Sequence, residues 1–192
     1  MSYDPPRPAG RLLLTPEDKE APDRTRRLRL LGLGEHPEPV LDAFAERLAE
    51  RIGAPYAMVN FLGEHRQFFA GLRIPAPRPP ADGDKAKPEV GRYMARDHGF
   101  CPHVVARRKA LVLEDVRDYP RFAGNPVVDE FGIRSYLGAP LIDSTGMVLG
   151  TVCAADVEPR TWGKSGLEAI KSSAAELVAR LERREADGLP VL

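Results

Sequence analysis

Apolar positions along the chain recur with two spacings, one typical of helices and one typical of strands. Between residues 41 and 52 they recur every three or four positions, and Gly53 follows as a residue that ends helices. A shorter helix is predicted at residues 24–31. A C-terminal helix is predicted to begin at Gly163, or at the capping box formed by Ser165 and Glu168. Its apolar stripe, close to a heptad repeat, consists of Leu167, Ile170, Ala174, Leu177 and Leu181.

Other segments are typical of strands that pair as hairpins. Gly63 and Gly146 lie in two short turns, and each turn is flanked by apolar runs of strand length. The predicted strands are 56–62, 66–72, 111–113, 135–142 and 147–155, with a helical turn at 127–131. Since hairpins pair in antiparallel fashion, the pattern predicts an α+β fold, with an antiparallel sheet and helices on its faces.

Prolines mark two irregular stretches. Five of the 19 prolines lie in the first 22 residues and five more lie between residues 75 and 88. We predict a disordered tail at 1–22, one domain at 23–186 and a short tail at 187–192. Residues 75–99 form a long Pro- and Gly-rich connection inside that domain, and such connections are typically lids or disordered segments.

The charge balance excludes several classes of partner. The 28 Lys and Arg residues equal the 28 Asp and Glu residues, so the chain lacks the basic field that binds nucleic acid or anionic membranes. It has no apolar run of membrane-spanning length and no signal peptide. Two cysteines cannot form a disulfide framework. We therefore expect a cytoplasmic protein with neither nucleic acid nor membrane as partner.

Cys101 is the candidate for chemistry. It precedes Pro102, which favours the first position of a helix, so we predict Cys101 at the N-cap of a short helix at 102–107. The helix dipole and the nearby His98 and His103 would then favour the thiolate. The alternative is a small buried packing residue. His98, Cys101 and His103 could also bind metal or haem, but they lack an evident fourth ligand, and we predict no metal site.

Several short motifs together resemble a bacterial GAF domain, in particular those that precede diguanylate cyclases and histidine kinases. The resemblance covers residues 23–185. Its pieces are Phe100-Cys101-Pro102-His103, Val112-Leu113-Glu114-Asp115, Pro120-Arg121-Phe122, Asn125-Pro126-Val127-Val128, the run at 132–141, the run at 149–156, and Glu158-Pro159-Arg160.

The resemblance implies a six-stranded antiparallel sheet. Terminal helices would cover one face, and a ligand pocket would lie on the other face under the lid at 75–99. GAF domains variously bind cyclic nucleotides, haem, bilins or amino acids, and many serve only as dimerising modules. The ligand-binding residues that we predict are Phe69, Phe100, Cys101, His103, Phe122, Phe131, Arg134 and Tyr136. Arg134 could hold an anionic ligand at the mouth of the pocket.

Better-defined subfamilies carry motifs that this chain lacks. The cyclic-nucleotide type has Lys after its Asn, whereas Phe61 follows Asn60 here. The bilin type has a Cys in the stretch that corresponds to 124–131, which contains none. Free methionine sulfoxide reductases have a Cys that Cys101 could match, but their catalytic Cys before the last hairpin is missing. Cys153 falls instead in the strand after that hairpin.

These observations favour a non-catalytic GAF sensor that binds an unknown small molecule and acts on a separate signalling protein. The cofactor is unknown. The apolar stripes on Leu28–Leu31 and on the C-terminal helix predict a homodimer through these helices. Two alternatives remain open. One is a thiol-based redox sensor or reductase that uses Cys101, and the other is a structural dimerisation module.

Overall fold

The computed structural model describes residues 15–76 and 89–188. The helices are α1 (Ala21–Leu30), α2 (Pro39–Ile52), α3 (Cys101–Arg107), α4 (Pro120–Ala123), α5 (Pro126–Glu130) and α6 (Gly163–Ala186). The strands are β1 (Tyr56–Leu62), β2 (Arg66–Arg73), β3 (Tyr93–Ala95), β4 (Leu111–Leu113), β5 (Ser135–Ile142) and β6 (Val148–Asp156). A short 3-10 turn, Val116–Asp118, precedes α4. The predicted α+β class is confirmed.

The strands form one six-stranded sheet in the order β3-β2-β1-β6-β5-β4, and each neighbouring pair is antiparallel. The two predicted hairpins are β1–β2 and β5–β6, and they join where β1 pairs with β6. In that pairing Met58 lies opposite Cys153 and Asn60 lies opposite Thr151. Because side chains alternate between the two faces of a strand, these four residues share one face of the sheet.

The helices α1, α2 and α6 cover the opposite face. Phe44 and Leu48 of α2 are buried there with Ala154 of β6 and Leu137 of β5. Helix α2 lies so close to β2 that a Cβ atom at Gly71 would be 2.3 Å from the backbone oxygen of Leu41. Only glycine at this position allows the observed approach of α2 to the sheet. The sheet therefore separates the terminal helices on one face from the lid on the other face.

The apolar stripes that we expected at a dimer seam lie inside this core. Leu28 and Leu31 are each 4% exposed, and Ile170 is fully buried. Helix α6 packs its stripe against α2 and the sheet of its own subunit. This corrects the basis of the dimer prediction, because these side chains are already covered within one chain. The large apolar side chains left exposed on α1 and α2 are Leu30 and Val40.

The N-terminal segment also differs from the prediction. Residues 15–22, which we assigned to a disordered tail, belong to the described part and include the buried Ala21, whereas residues 1–14 lie outside it. Arg24 of α1 is fully buried, and its guanidinium donates to the Val148 carbonyl at 2.5 Å and to the Asp18 carboxylate at 2.6 and 2.9 Å. The ion pair anchors Asp18 to α1, and α1 itself begins at Ala21, before the predicted start of the domain at residue 23. Residues 189–192 also lie outside the described part.

The predicted lid at 75–99 is only partly described, because residues 77–88 lie outside the described part. Its second half contains β3, which sequence reasoning missed. Tyr93 of β3 stacks on Phe68 of β2 with ring centroids 5.1 Å apart, and the Arg66 guanidinium lies 4.0 Å from the Tyr93 ring. These contacts across the sheet hold a strand of three residues, which is too short to show an alternating pattern.

Candidate functional site

A cavity of about 50 Å³ lies on the face of the sheet opposite the terminal helices. The sheet contributes Tyr56, Met58, Gln67, Phe69, Tyr136, Cys153 and Ala155 to its wall. The lid, α3, α5 and the turn after α5 contribute Val90, Met94, Gly99, Phe100, Cys101, Val127, Phe131 and Ile133. The described wall is therefore aromatic, aliphatic and sulfur-containing, and it includes no Lys, Arg or His.

Five of the eight predicted ligand-binding residues line this cavity: Phe69, Phe100, Cys101, Phe131 and Tyr136. They come from four separate elements or turns, and the fold brings them together. Phe100 contacts Tyr136 with ring centroids 5.1 Å apart, so the two aromatics form a continuous surface. Their role in ligand binding stays a prediction.

The other three predicted residues do not line the cavity. His103 and Phe122 lie in the layer outside it: the His103 ring packs edge-on against Phe122 at 4.9 Å, and Phe122 packs edge-on against Phe100 at 5.8 Å. Arg134 forms an ion pair with Asp115, and its Nε donates to Asp115 Oδ1 at 3.0 Å. We correct the placement of Arg134 at the pocket mouth, because the carboxylate on the preceding turn holds the guanidinium elsewhere.

Two cysteines meet at the wall of the cavity. The Sγ atoms of Cys101 and Cys153 are 3.7 Å apart, and the Cys101 Sγ lies 3.3 Å from the Tyr136 hydroxyl. The Cys153 Sγ is also 3.7 Å from the Met58 Sδ. Both cysteines are buried. Sequence reasoning singled out Cys101 but not its partner, because 52 positions separate the two and only the sheet and α3 bring them together.

The surroundings shift the pKa values of the two thiols in opposite directions. Hydrogen bonding with Cys153 lowers the pKa of Cys101 below its usual value, and the Thr151, Tyr136 and Asn60 side chains add to this effect against the opposing effect of burial. The same contact with Cys101, together with burial, raises the pKa of Cys153. Burial raises the pKa of Tyr136, so its hydroxyl stays a proton donor. Cys101 is therefore the thiol that ionises first.

Cys101 occupies a different position in its helix from the one predicted. Helix α3 begins at Cys101 itself, and Phe100 is the N-cap residue, so Cys101 is the first residue of the helix rather than its cap. Pro102 follows as the second residue. Proline is accommodated there because the first turn of a helix has no partner for its N–H groups. The backbone thus directs Cys101 toward β6, where Cys153 lies.

A buried polar group lies beside the sulfur pair. Asn60 and Thr151 are both fully buried. Asn60 Nδ2 donates to Gln67 Oε1 at 2.9 Å, and Gln67 Nε2 donates to the carbonyls of Ala95 and His98 at 2.7 Å each. Gln67 therefore ties the lid to the sheet. Thr151 Oγ1 and Asn60 Oδ1 have no hydrogen-bond partner among the described residues, which is unusual for buried polar atoms.

The lid is held at a second point by Asn125. Its side chain accepts from the Gly99 N–H at 2.8 Å and donates to the Gly99 carbonyl at 2.8 Å. Gly99 has a φ of +73°, a conformation that favours glycine. Asn125 also caps α5 by accepting from the Val127 N–H. A single side chain thus links the end of the lid to the helix on the other side of the cavity.

The histidines considered as metal ligands do not converge on Cys101. His98 Nδ1 lies 2.8 Å from Asp97 Oδ1, and His98 Nε2 lies 3.7 Å from Glu130 Oε1. His103 is 3% exposed, and burial, with Arg121 and Arg107 nearby, lowers its pKa to about 4. Within residues 15–76 and 89–188, no group of three or more His, Cys, Asp and Glu side chains is arranged to hold a metal ion.

Comparisons with known proteins agree with this architecture. A family model described as the GAF domain matches residues 36–181. The chain is 32% identical over 152 residues to a cyclic di-GMP phosphodiesterase of Pseudomonas aeruginosa, a match that covers 76% of this chain and 22% of that protein. The chain therefore matches about a fifth of the length of that relative.

Solved structures share the fold. The GAF domain of a phosphoenolpyruvate-protein phosphotransferase from Acinetobacter superposes with a TM-score of 0.56 at 16% identity, over 88% of this chain and 97% of that one. The free methionine-R-sulfoxide reductase of Neisseria meningitidis, solved with its substrate, superposes with a TM-score of 0.59 at 17% identity, over 89% of this chain and 95% of that one. At these identities the likeness concerns the fold alone.

An antiparallel sheet with helices on one face and a cavity on the other defines the class of α+β domains built on a single sheet. The family match over residues 36–181 narrows this class, and the chain belongs to the GAF domain family. Family membership supports a role as a sensor or regulatory module. In the described part of the chain, no helix has the length and apolar character needed to cross a membrane.

Proposed function

We propose that the protein is a regulatory module whose cavity binds a small uncharged molecule. Its helices would transmit the structural change caused by ligand binding to a partner protein. The observation that carries this proposal is the cavity between the sheet and the lid, with an apolar wall and a few polar groups. Apolar cavities with a small number of converging polar groups are the usual form of small-molecule sites. The polar groups in this wall are the Gln67 amide, the hydroxyls of Tyr56 and Tyr136, and the thiols of Cys101 and Cys153.

Charge and size define the class of ligand. The described wall has no cationic side chain to neutralise a phosphate or carboxylate, and a buried anion without a partner is strongly disfavoured. The cavity of about 50 Å³ is far smaller than sites for drug-sized ligands. We therefore propose a neutral ligand of about one ring, and outward movement of the lid as it enters. These two features argue against a cyclic dinucleotide in this cavity.

The two faces of the sheet provide a route from the cavity to the helices. Tyr136 and Cys153 face the cavity, while their strand neighbours Leu137 and Ala154 are buried against the helices. A ligand that moves β5 or β6 therefore also moves the surface on which α6 packs. Signalling to a separate protein and homodimerisation are part of this proposal. The exposed Leu30 and Val40 support an interface on α1 and α2, which light scattering would test.

A matched pair of probes tests the binding proposal. Phenol has one ring and one hydroxyl, whereas phenyl phosphate carries the same ring with a charged group. At one hundred times its dissociation constant a ligand stabilises the native state by about 2.7 kcal/mol, and we expect phenol to raise the melting temperature accordingly. Phenyl phosphate and cyclic di-GMP should leave it unchanged. Equal stabilisation by phenyl phosphate would contradict a neutral cavity as the binding site.

The alternatives have distinct signatures in the same experiments. A module that only dimerises would show a concentration-dependent mass in light scattering and no response to phenol. Reduction of methionine sulfoxide that depends on Cys101 would favour the reductase. The absence of a second cysteine before β5 argues against that enzyme.

A further inference from the structure

The pairing of Cys101 with Cys153 has a consequence that is independent of ligand binding. We propose that Cys101 and Cys153 form a dithiol that a small hydroperoxide oxidises to an intramolecular disulfide. The two Sγ atoms are 3.7 Å apart, and a disulfide requires about 2.05 Å. The chain contains these two cysteines alone, so the internal disulfide has one possible connectivity.

Access and surroundings favour this reaction. Both cysteines line the cavity, so a molecule of the size of hydrogen peroxide that enters it meets both sulfurs. The Tyr136 hydroxyl lies 3.3 Å from the Cys101 Sγ and can donate to a thiolate. Thr151 lies two residues before Cys153 on the same face of β6, and its buried hydroxyl has no hydrogen-bond partner among the described residues. A thiolate at Cys101 would provide the partner that this hydroxyl lacks.

The roles of the two cysteines follow from their surroundings. The thiolate is the reactive form of cysteine, and the Tyr136 hydroxyl, 3.3 Å from the Cys101 Sγ, can donate to a thiolate on Cys101. We therefore assign the first attack to Cys101. The Cys101 sulfur attacks one peroxide oxygen, the O–O bond breaks, and the departing hydroxide takes a proton to become water. Cys101 is then a sulfenic acid. The Cys153 sulfur attacks the Cys101 sulfur, the S–O bond breaks, and the second hydroxide takes the Cys153 proton to leave as water.

In balance, two thiols are oxidised by two electrons, and one hydroperoxide is reduced to water and an alcohol, or to two waters when it is hydrogen peroxide. The disulfide would draw the start of α3 toward β6, and both sulfurs belong to the cavity wall. The redox state of the pair would thus change the shape of the cavity. Disulfide formation itself requires no ligand, so it can be tested whether or not phenol binds.

The experiment treats the reduced 192-residue chain with hydrogen peroxide and measures its intact mass after alkylation under denaturing conditions. We expect the wild type to lose two hydrogen atoms, to take up no alkylating agent, and to yield a digest peptide that joins Cys101 to Cys153. In Cys153→Ala the reaction should stop at Cys101, which gains oxygen and reacts with a sulfenic-acid trap. Cys101→Ala should remain unoxidised under the same conditions.

A wild type that retains two alkylatable thiols under these conditions would overturn the proposal, and so would a disulfide found only between two chains. These wild-type readouts remain valid if either alanine variant fails to fold. Thr151 provides a further test as a positioning residue. Thr151→Val should raise the pH midpoint of Cys101 alkylation, and Thr151→Ser should restore it. An identical midpoint in all three proteins would contradict a donor role for the hydroxyl.

Discussion

A larger side chain in the cavity wall tests two points: whether the cavity has room for added methyl groups, and whether it is the ligand-binding site. Ala155 lines the cavity and is 4% exposed, and valine at this position adds two methyl groups to the wall. Mutational series give about 24 cal/mol per Å³ of cavity volume, which for a cavity of about 50 Å³ corresponds to about 1.2 kcal/mol. We expect Ala155→Val to stabilise the protein by up to this amount and to abolish phenol binding.

The neighbouring residue provides a matched control. Ala154 is fully buried on the other face of β6, in the core beneath the helices. Ala154→Val introduces the same atoms on the same strand with the same strand propensity, but into a core that is already filled. Overpacking of this kind costs about 1–3 kcal/mol. The two variants should therefore change stability in opposite directions.

Urea unfolding measures both free energies, and thermal unfolding provides a second readout. For a chain of this size, 1 kcal/mol corresponds to about 2–4 °C in melting temperature. Destabilisation of Ala155→Val to the same extent as Ala154→Val would refute the cavity. A stabilised Ala155→Val that still binds phenol with wild-type affinity would instead place the ligand elsewhere.

Three further predictions concern groups outside the cavity. Asp18→Asn leaves the buried Arg24 without its carboxylate, and we expect a loss of about 3–5 kcal/mol in urea unfolding at pH 7. Burial opposes ionisation of Asp18, but hydrogen bonds from Arg24 and Arg96 outweigh it and lower its pKa to about 2. About 2 kcal/mol of stability should therefore be lost as pH falls from 3.8 to 2. His103 is buried in its neutral form, so stability should fall by up to about 3 kcal/mol between pH 6.5 and 4, and His103→Leu should remove this slope. Because Arg134 is paired with Asp115, Arg134→Met should leave the phenol affinity measured by calorimetry unchanged. Weaker phenol binding in this variant would show that Arg134 belongs to the binding site.

Local patterns predicted those parts of the fold whose signals lie within a few residues. Strand β1 was predicted at 56–62 and observed at Tyr56–Leu62, because its apolar run ends at a turn glycine. Helix α2 was predicted from its stripe, and the left-handed Gly53 ends it as expected. In both cases the spacing of apolar residues and one glycine contain the required information.

Features that depend on distant contacts were missed. The Arg24 guanidinium is buried because Asp18 and the Val148 carbonyl surround it, and nothing in the local sequence distinguishes it from a surface arginine. Arg134 was expected to face a ligand, but Asp115 binds it at a distance of 19 positions. Charged side chains on short elements do not reveal their partners from spacing alone.

The residues of the candidate site likewise divide into those that local patterns predict and those that depend on tertiary contacts. Five of the eight residues predicted from the resemblance to GAF domains line the cavity. Strand alternation accounts for two of them, Phe69 and Tyr136. Cys153 was not among the predicted residues. Its face of the sheet follows only from the register of β5 and β6, in which Cys153 lies opposite Gly138 while its neighbour Val152 lies on the other face. The pairing of Cys101 with Cys153 requires the position of α3 above the sheet, which is a tertiary property.

The most direct test of the cavity as the ligand site is methyl NMR of methionine-labelled protein during a phenol titration. Met58 and Met94 line the cavity, whereas Met147 packs against the core beneath the helices and provides an internal control. We predict saturable shifts of the Met58 and Met94 methyl signals with phenol, a stationary Met147 signal, and no response to phenyl phosphate. Saturation with Met58 and Met94 unmoved would contradict the cavity as the binding site.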